Sequence, residues 1–164
     1  MLDLTGCIVT IDAAGTQTAI AEQIVAGGAD YVLALKGNQK GLAEDVGRLF
    51  EWAHRIDFAE LEHDHGHTVT KGHGRIERRH IWTISDPRYL GDLRQGRKWK
   101  SLRSVAQVQL ERRVGEQVTV ETRYYTPHLR AVQVSAACPA RPNKSSRRCA
   151  VIGASRTACT GFWT

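Results

Sequence analysis

The first third of this chain alternates patterns typical of apolar strands with patterns typical of amphipathic helices. Residues 6–12 are typical of a short buried strand that ends at an acidic residue, Asp12, and residues 30–36 are typical of a second strand. Residues 17–26 and 39–54 carry apolar side chains at helical spacing after each of these strands. This order predicts a right-handed βαβ unit built on a parallel pair of strands.

The pattern changes after the second helix. Residues 79–85 alternate as a strand, and residues 104–114 and 117–125 predict two strands joined at Gly115-Glu116 as a hairpin. Residues 63–79 are polar and rich in His and Gly, and we interpret them as a solvated loop, although alternating histidines could also bind a transition metal. The sequence therefore predicts an α/β fold with a mostly β insertion.

The distribution of charge separates the body of the chain from its tail. The net charge is +6, but residues 1–126 hold 17 basic and 17 acidic side chains, so the whole excess lies in residues 127–164. The tail shows no sustained period, and its three cysteines fit no zinc pattern. We therefore expect a domain over residues 1–125 and a disordered basic tail over 126–164. Since no signal peptide or run of about 20 apolar residues is present, a cytoplasmic location without membrane contact is expected.

Three segments could carry chemistry. Asp12 follows a strand, where a carboxylate can hold a divalent cation, although on sequence alone a helix cap is favoured. The turn at residues 36–40 could meet a phosphate through its lysines and amides, or be a plain polar turn. The arginines of residues 75–79 could contact a phosphodiester backbone.

Taken together, these segments resemble one family, the DDE transposases of the H-repeat-associated kind, which are related to cut-and-paste insertion-sequence transposases. The resemblance runs from Leu2 to about Tyr125, with order and spacing kept throughout. It is carried by Ile8-Val9-Thr10-Ile11-Asp12-Ala13, Gln17 with Ile20-Ala21, Asp30 through Gln39, His73-Gly74-Arg75-Ile76-Glu77-Arg78-Arg79, and Glu121-Thr122-Arg123-Tyr124-Tyr125.

The resemblance implies a ribonuclease H-like core, here partial, that acts on bacterial DNA. Three acids of the family hold two Mg²⁺ or Mn²⁺ ions, which stabilise the attacking and leaving oxygens of a phosphodiester. It assigns the second acid, a catalytic metal ligand, to Asp12. Its partners would be transposon ends and target DNA, and the intact family is expected to form homo-oligomers. The residues we expect to contact DNA are Lys36, Asn38, Gln39, Lys40, His73, Arg75, Arg78 and Arg79.

Two of the three acids expected from the resemblance are not found. The first is expected on a strand upstream of Met1, and the third in a helical motif of the form His-Trp-x-Ile-Glu-Asn. Codons can be chosen for residues 151–164 whose shifted frame spells such a motif, with the Glu spanning the codons of Ser155 and Arg156. We therefore expect a frame change near Thr126 and an inactive, truncated copy of a transposase.

Two other functions stay open at this point. The chain could be a non-enzymatic DNA-binding regulator that uses its basic tail, or a small α/β enzyme with another substrate. A neutral body speaks against the first, because non-specific DNA affinity comes largely from phosphate contacts. No complete catalytic constellation can be assembled for the second. For the isolated chain we also expect poorly covered apolar faces around Val9, Ile11, Val32 and Leu33, and hence marginal stability.

Overall fold

The computed structural model describes residues 4–11, 16–72, 74–94, 96–99, 102–128 and 149–151. These ranges contain seven β-strands, three α-helices and two 3₁₀ turns, Gly37–Gln39 and Gly96–Lys98. The strands are β1 (Ile8–Ile11), β2 (Asp30–Leu35), β3 (His63–Gly72), β4 (Arg75–Ile84), β5 (Val105–Val114), β6 (Gln117–Pro127) and β7 (Cys149–Val151), and the helices are α1 (Thr18–Ala26), α2 (Lys40–Arg55) and α3 (Pro87–Leu90).

The strands form one mixed sheet in the order β3-β4-β5-β6-β2-β1-β7. β1 runs parallel to β2, with Ile8 opposite Asp30 and Ile11 opposite Leu33. The parallel pair and the two helices predicted for the first third are thus confirmed, with ends that differ by at most two residues. β6 joins β2 in antiparallel orientation and links this unit to the β3–β6 strands.

Both long helices pack against the same side of the sheet, which we call the helix face. The apolar stripe of α2, with Leu42, Val46, Phe50 and Ala53, is buried there because its spacing brings these side chains to one side. The expectation of poorly covered apolar faces was wrong at two positions, since Val9 and Leu33 are almost fully buried beneath this layer. Other buried members of the cluster are Ala21, Ile24, Tyr31, Leu35, Ile84 and Val105.

The polar segment that we interpreted as a solvated loop is a β-hairpin, so that interpretation was wrong. β3 and β4 pair in antiparallel register over ten residues each, from His63 opposite Ile84 to Gly72 opposite Arg75. Gly74 takes a φ of +72° at the turn, a conformation that glycine adopts without steric cost. At the start of β3, histidines alternate with small or polar side chains. The strand therefore lacks the alternating apolar residues from which most strands are predicted.

The second hairpin agrees with its prediction. β5 and β6 are joined by two residues, and Gly115 holds the first central position with a φ of +60°, as a II′ turn requires. β6 runs two residues past the boundary predicted at residue 125, and His128 follows it into a buried position against β2. In the predicted tail, residues 149–151 pair with β1.

Four strands continue past the covered part of the sheet as a projection that we call the arm, residues 67–80 and 109–122. Every described residue of the arm is exposed or half-buried. In β6, Tyr124 pairs with Leu35 at the end of β2. The strand extends seven residues beyond this pair, so the arm projects roughly 20–25 Å past the end of β2.

A connection between β4 and β5 closes one side of the core. Asp86 caps α3 by accepting a hydrogen bond from the amide of Arg88, 3.0 Å away. The guanidinium of Arg94 binds the carboxylate of Asp45 on α2, with a shortest N–O distance of 2.8 Å. Leu90, Leu93 and Trp99 of this segment lie buried in the same cluster. None of the helices in the described ranges is long and apolar enough to cross a membrane.

Candidate functional site

The carboxyl ends of β1 and β2 meet at one edge of the sheet, because the two strands are parallel. Asp12 follows β1 directly in sequence, but residues 12–15 lie outside the described residues. The chain is described again at Thr16, whose hydroxyl donates to the carbonyl of Ala34 over 2.8 Å. The side-chain amide of Gln39 donates to the carbonyl of Thr16 over 3.2 Å. The chain after residue 15 and the turn after β2 are thus held together at this edge.

The predicted phosphate-binding turn lies at the same edge. Lys36 follows β2, and Lys40 opens the sixteen-residue helix α2. Both lysine side chains are exposed. The first turn of α2 contains no acidic residue, and Gln39 forms no side-chain cap there, so the positive end of the helix dipole is not neutralised locally. These features make the turn able to accept an anion. Asn38 lies in the 3₁₀ turn, but its side chain is outside the described residues.

A groove of about 440 Å³ runs from this turn along α2 to β6. Three cations, Lys36, Lys40 and Arg48, share it with two carboxylates, Glu44 and Glu51. Arg48 forms an ion pair with Asp45, and Lys36 and Lys40 flank the turn itself. The rest of the lining is Gly37, Ala43, Gly47 and Tyr124, and burial raises the pKa of the Tyr124 phenol.

A divalent metal pair does not fit the described residues of this edge. Within the described ranges, no group of three or more His, Cys, Asp or Glu side chains could hold a metal ion. Glu44 and Glu51 line the groove together with Lys36, Lys40 and Arg48. The expectation of Mg²⁺ or Mn²⁺ therefore depends on Asp12, which the description leaves out.

The arginines predicted to contact DNA are divided between the two sides of the arm. Strand pairing aligns Arg78 with Glu111 and Val120 on the helix face, whereas Arg75 and Arg79 lie one residue out of phase and face the other side. The Nη1 atom of Arg78 lies 2.7 Å from the carboxylate of Glu111. That these arginines contact DNA stays a prediction, and the ion pair with Glu111 reduces the charge that Arg78 offers to a phosphate. His73 lies outside the described residues.

The arm and the turn are nevertheless neighbours. Tyr124 lines the groove and stands at the base of the arm on β6. Glu121 is three residues from Tyr124 toward the hairpin turn. The hydrogen bond from Arg123 lowers the pKa of Glu121, and the positive charge of Lys36 adds a smaller effect in the same direction. The base of the arm therefore lies beside the two lysines of the turn.

Sequence reasoning missed a stack of aromatic rings on the helix face. His54, at the end of α2, packs edge-on against Trp82, with ring centroids 4.8 Å apart. His65 stacks on Trp82 at 5.0 Å and on His80 at 5.5 Å. The histidines spaced two apart in residues 63–67 were the available signal, because alternate residues of a strand share one face.

Sequence reasoning also missed a polar pair at the amino-terminal end of β2. The Nδ1 atom of His128 lies 2.7 Å from a carboxylate oxygen of Asp30, and the His128 amide donates to the carbonyl of Tyr31. Burial raises the pKa of Tyr31 to about 12. These contacts attach the end of β6 to β2, so the pair has a structural role.

Comparison with known proteins shows a partial similarity to transposase-related proteins. The chain is 44% identical over 85 residues to the "H repeat-associated putative transposase YhhI" of Escherichia coli K12, and 42% identical over 82 residues to the "H repeat-associated putative transposase YbfD" of the same organism. These matches cover 49% and 48% of this chain. Neither a family model nor a solved structure matches the chain.

A longer match is to an uncharacterized protein of Xanthobacter autotrophicus, encoded in the dhlA 3′ region, with 40% identity over 131 residues and 78% of this chain. All three relatives are much longer than the matched part. The match spans 41% of the Xanthobacter protein, 21% of YhhI and 30% of YbfD. The chain thus corresponds to less than half of each relative.

Proposed function

We propose that this chain is part of a DNA transposase and that its carboxyl sheet edge binds a DNA backbone. The observation that carries the proposal is the similarity to two proteins named as H repeat-associated transposases, over about half of the chain. The fold proposed with it is the ribonuclease H-like core expected of that family. The parallel β1–β2 pair supports this proposal, since ligands of open α/β sheets bind beyond the carboxyl ends of the strands.

In this proposal the backbone is held by charge at the edge and by shape along the arm. Lys36 and Lys40 neutralise phosphates, and the positive end of the α2 dipole favours a phosphate oxygen beside them. The arm, with its width of four strands, lies against the flank of the duplex. Its paired arginines add little attraction, so we assign the dominant contact to the two lysines.

Asp12 is proposed as one of the acids that would bind Mg²⁺ or Mn²⁺ in a complete family member. The resemblance assigns only this one acid to the present sequence, and a single carboxylate cannot hold two ions. We therefore propose that the 164-residue chain binds DNA without cleaving or joining strands. Supercoiled plasmid incubated with the chain in Mn²⁺ should remain uncut, and nicking that Asp12→Asn abolishes would contradict this part.

The inactivity proposal includes a frame change in the gene. The burial of His128 and its contact with Asp30 favour a change after residue 128 rather than near Thr126. The nucleotide sequence tests this directly. Codons for residues 151–164 that spell the His-Trp-x-Ile-Glu-Asn motif in a shifted frame would support it, and codons that cannot do so would overturn it.

DNA binding is tested with three double variants that each remove two positive charges. Lys36→Gln with Lys40→Gln changes the edge, and Lys98→Gln with Arg103→Gln changes exposed positions outside the groove. Arg147→Gln with Arg148→Gln changes the basic tail. Binding of a duplex is measured by fluorescence anisotropy at several salt concentrations.

We expect the edge variant alone to flatten the salt dependence. Two lost phosphate contacts should reduce the slope of log affinity against log salt by about 1.8. The Lys98 and Arg103 variant should keep the slope of the unchanged chain. If instead only the tail variant loses affinity, the chain is a DNA-binding protein that acts through its tail, and the edge proposal is wrong.

A further inference from the structure

A row of imidazole groups lies on the helix face where the arm begins. Strand register places His65 opposite Trp82 and His67 opposite His80, and all four side chains point to this face. The histidines belong to two different strands, and β3 is an edge strand of the sheet. His65 and His67 are exposed and His80 is half-buried, so solvent reaches the row.

The distance between two of these imidazoles is that of two ligands on one metal ion. The Nε2 atom of His65 lies 3.2 Å from the Nδ1 atom of His80. Histidine nitrogens bind zinc at about 2.0–2.1 Å, and two such ligands of a tetrahedral ion stand roughly 3.3–3.4 Å apart. An ion can therefore take the place of the hydrogen bond between these two nitrogens once each ring turns so that its lone pair points to the ion.

His67 can supply a third ligand. Its ring centroid lies 5.9 Å from that of His80 and 6.5 Å from that of His65. Three donors do not converge in the described arrangement. The side chain of His67 is exposed, so a change of rotamer, which is fast for such residues, can turn a ring nitrogen toward the other two.

The neighbouring histidines, His54 and His63, form hydrogen bonds of their own next to the row. His54 hydrogen-bonds through Nε2 to the side-chain oxygen of Gln107 at 2.7 Å, and His63 bonds through Nδ1 to the carbonyl of Leu61 at 2.9 Å. Trp82 stacks against both His65 and His80 and fixes their planes. Ligands held by such contacts lose less freedom when an ion binds.

We infer that His65, His80 and His67 form a binding site for a borderline transition metal ion such as Zn²⁺ or Ni²⁺. Imidazole prefers these ions to Mg²⁺ or Ca²⁺, which favour oxygen ligands. The site is separate from the carboxyl edge of β1 and β2 and independent of the function proposed for it. A bound ion joins β3 to β4 and so stabilises the hairpin that leads into the arm.

The protonation of the pair is compatible with this site. One of the two nitrogens that share the hydrogen bond now carries its proton, and that proton moves to the other nitrogen of the same ring when both lone pairs turn to the ion.

The test is a titration of the full chain with Ni²⁺, followed by the fluorescence of Trp82. A paramagnetic ion bound to two rings that stack on Trp82 should quench its emission, and Trp82→Phe identifies the part of the signal that belongs to this residue. We expect His65→Asn and His80→Asn each to weaken Ni²⁺ binding about tenfold or more, and His67→Asn to weaken it less. His63→Asn, a matched change on the same strand, should leave the affinity within about twofold.

Cobalt provides a second measurement that does not depend on fluorescence. Co²⁺ bound by the three imidazoles should give visible absorption bands that are lost in the variant with His65→Asn and His80→Asn. Ions held by the cysteines would persist in that variant. Equal Ni²⁺ affinities of His63→Asn and His80→Asn, both with the far-ultraviolet circular dichroism of the unchanged chain, would overturn the inference. If His80→Asn unfolds, the Ni²⁺ affinity of the exposed variant His67→Asn is compared with that of His63→Asn instead, and equal affinities would overturn the inference.

Discussion

The covered base of the sheet and the arm use the same strands in different surroundings. On the helix face of β4 and β5, Ile84 and Val105 are fully buried beneath the helices. Farther along the same face of β6, Val118 and Val120 are 52% and 58% exposed. Alternation of side chains along a strand is thus the same at both ends, and burial is decided by whether a helix lies above.

This difference implies that the two regions depend on different interactions. At the base, burial of large apolar side chains supplies most of the stabilising free energy. In the arm, the stabilising interactions are strand hydrogen bonds and cross-strand pairs such as Arg78 with Glu111, which contribute little individually. We expect substitutions at the base to change global stability and those in the arm to change surface properties.

The largest effect is expected at Phe50. Its side chain is fully buried and stacks on Tyr124 with ring centroids 6.1 Å apart, so Phe50→Ala should lower the free energy of unfolding by about 3–5 kcal/mol. Val120→Ala, the matched truncation in the arm, should cost less than about 0.5 kcal/mol. Urea denaturation followed by circular dichroism measures both. Losses of similar size would remove the distinction between base and arm.

An intermediate effect is expected at low pH, from the segment that closes the base. Hydrogen bonds from Arg88 lower the pKa of Asp86 to about 2, below its value in an unfolded chain. Because the folded-state pKa is the lower one, this carboxylate stabilises the fold above pH 4, and its contribution is lost as the pH falls from about 4 through 2. Arg94 lowers the pKa of Asp45 in the same direction.

Asp86→Asn should therefore reduce stability at neutral pH and make the loss of stability below pH 4 smaller. Asp64→Asn, which removes an exposed carboxylate from β3, is the control and should keep the acid dependence of the unchanged chain. Thermal melting between pH 2 and 7 provides the measurement. An unchanged acid dependence in Asp86→Asn would show that this contact does not stabilise the base.

The smallest effect is expected at Arg78 in the arm. Its ion pair with Glu111 is largely open to solvent, so Arg78→Ala should change the free energy of unfolding by about 0–1 kcal/mol. Raising the salt concentration should reduce this difference, because screening weakens exposed pairs. Urea titrations at low and high salt measure it, and a loss comparable to that of Phe50→Ala would mean that the arm is part of the cooperative core.

The success of sequence reasoning followed the strength of the apolar period. β1, β2, α1 and α2 were predicted closely because their buried faces repeat every two or 3.6 residues. The β5–β6 hairpin was predicted from Gly115 at its turn. β3 was missed because an exposed strand has no buried face to leave such a pattern, and hydrogen bonding to β4 decides its conformation instead. Of the predicted site, Gln39 bonds to Thr16 and Lys36 lies in the same turn, whereas the arginines of β4 are divided between two faces.

Patterns in the sequence were enough to predict the βαβ unit, its helices, the second hairpin and the position of the lysine turn after β2. These are local properties, since short-range periodicity and turn residues encode them. Long-range contacts in the folded chain make β3 a strand, place the arm beyond the helices, and bring ring nitrogens of His65 and His80 to 3.2 Å from each other. Such features arise from pairing between residues that are distant in sequence, and no local pattern specifies the register or the layer that covers it.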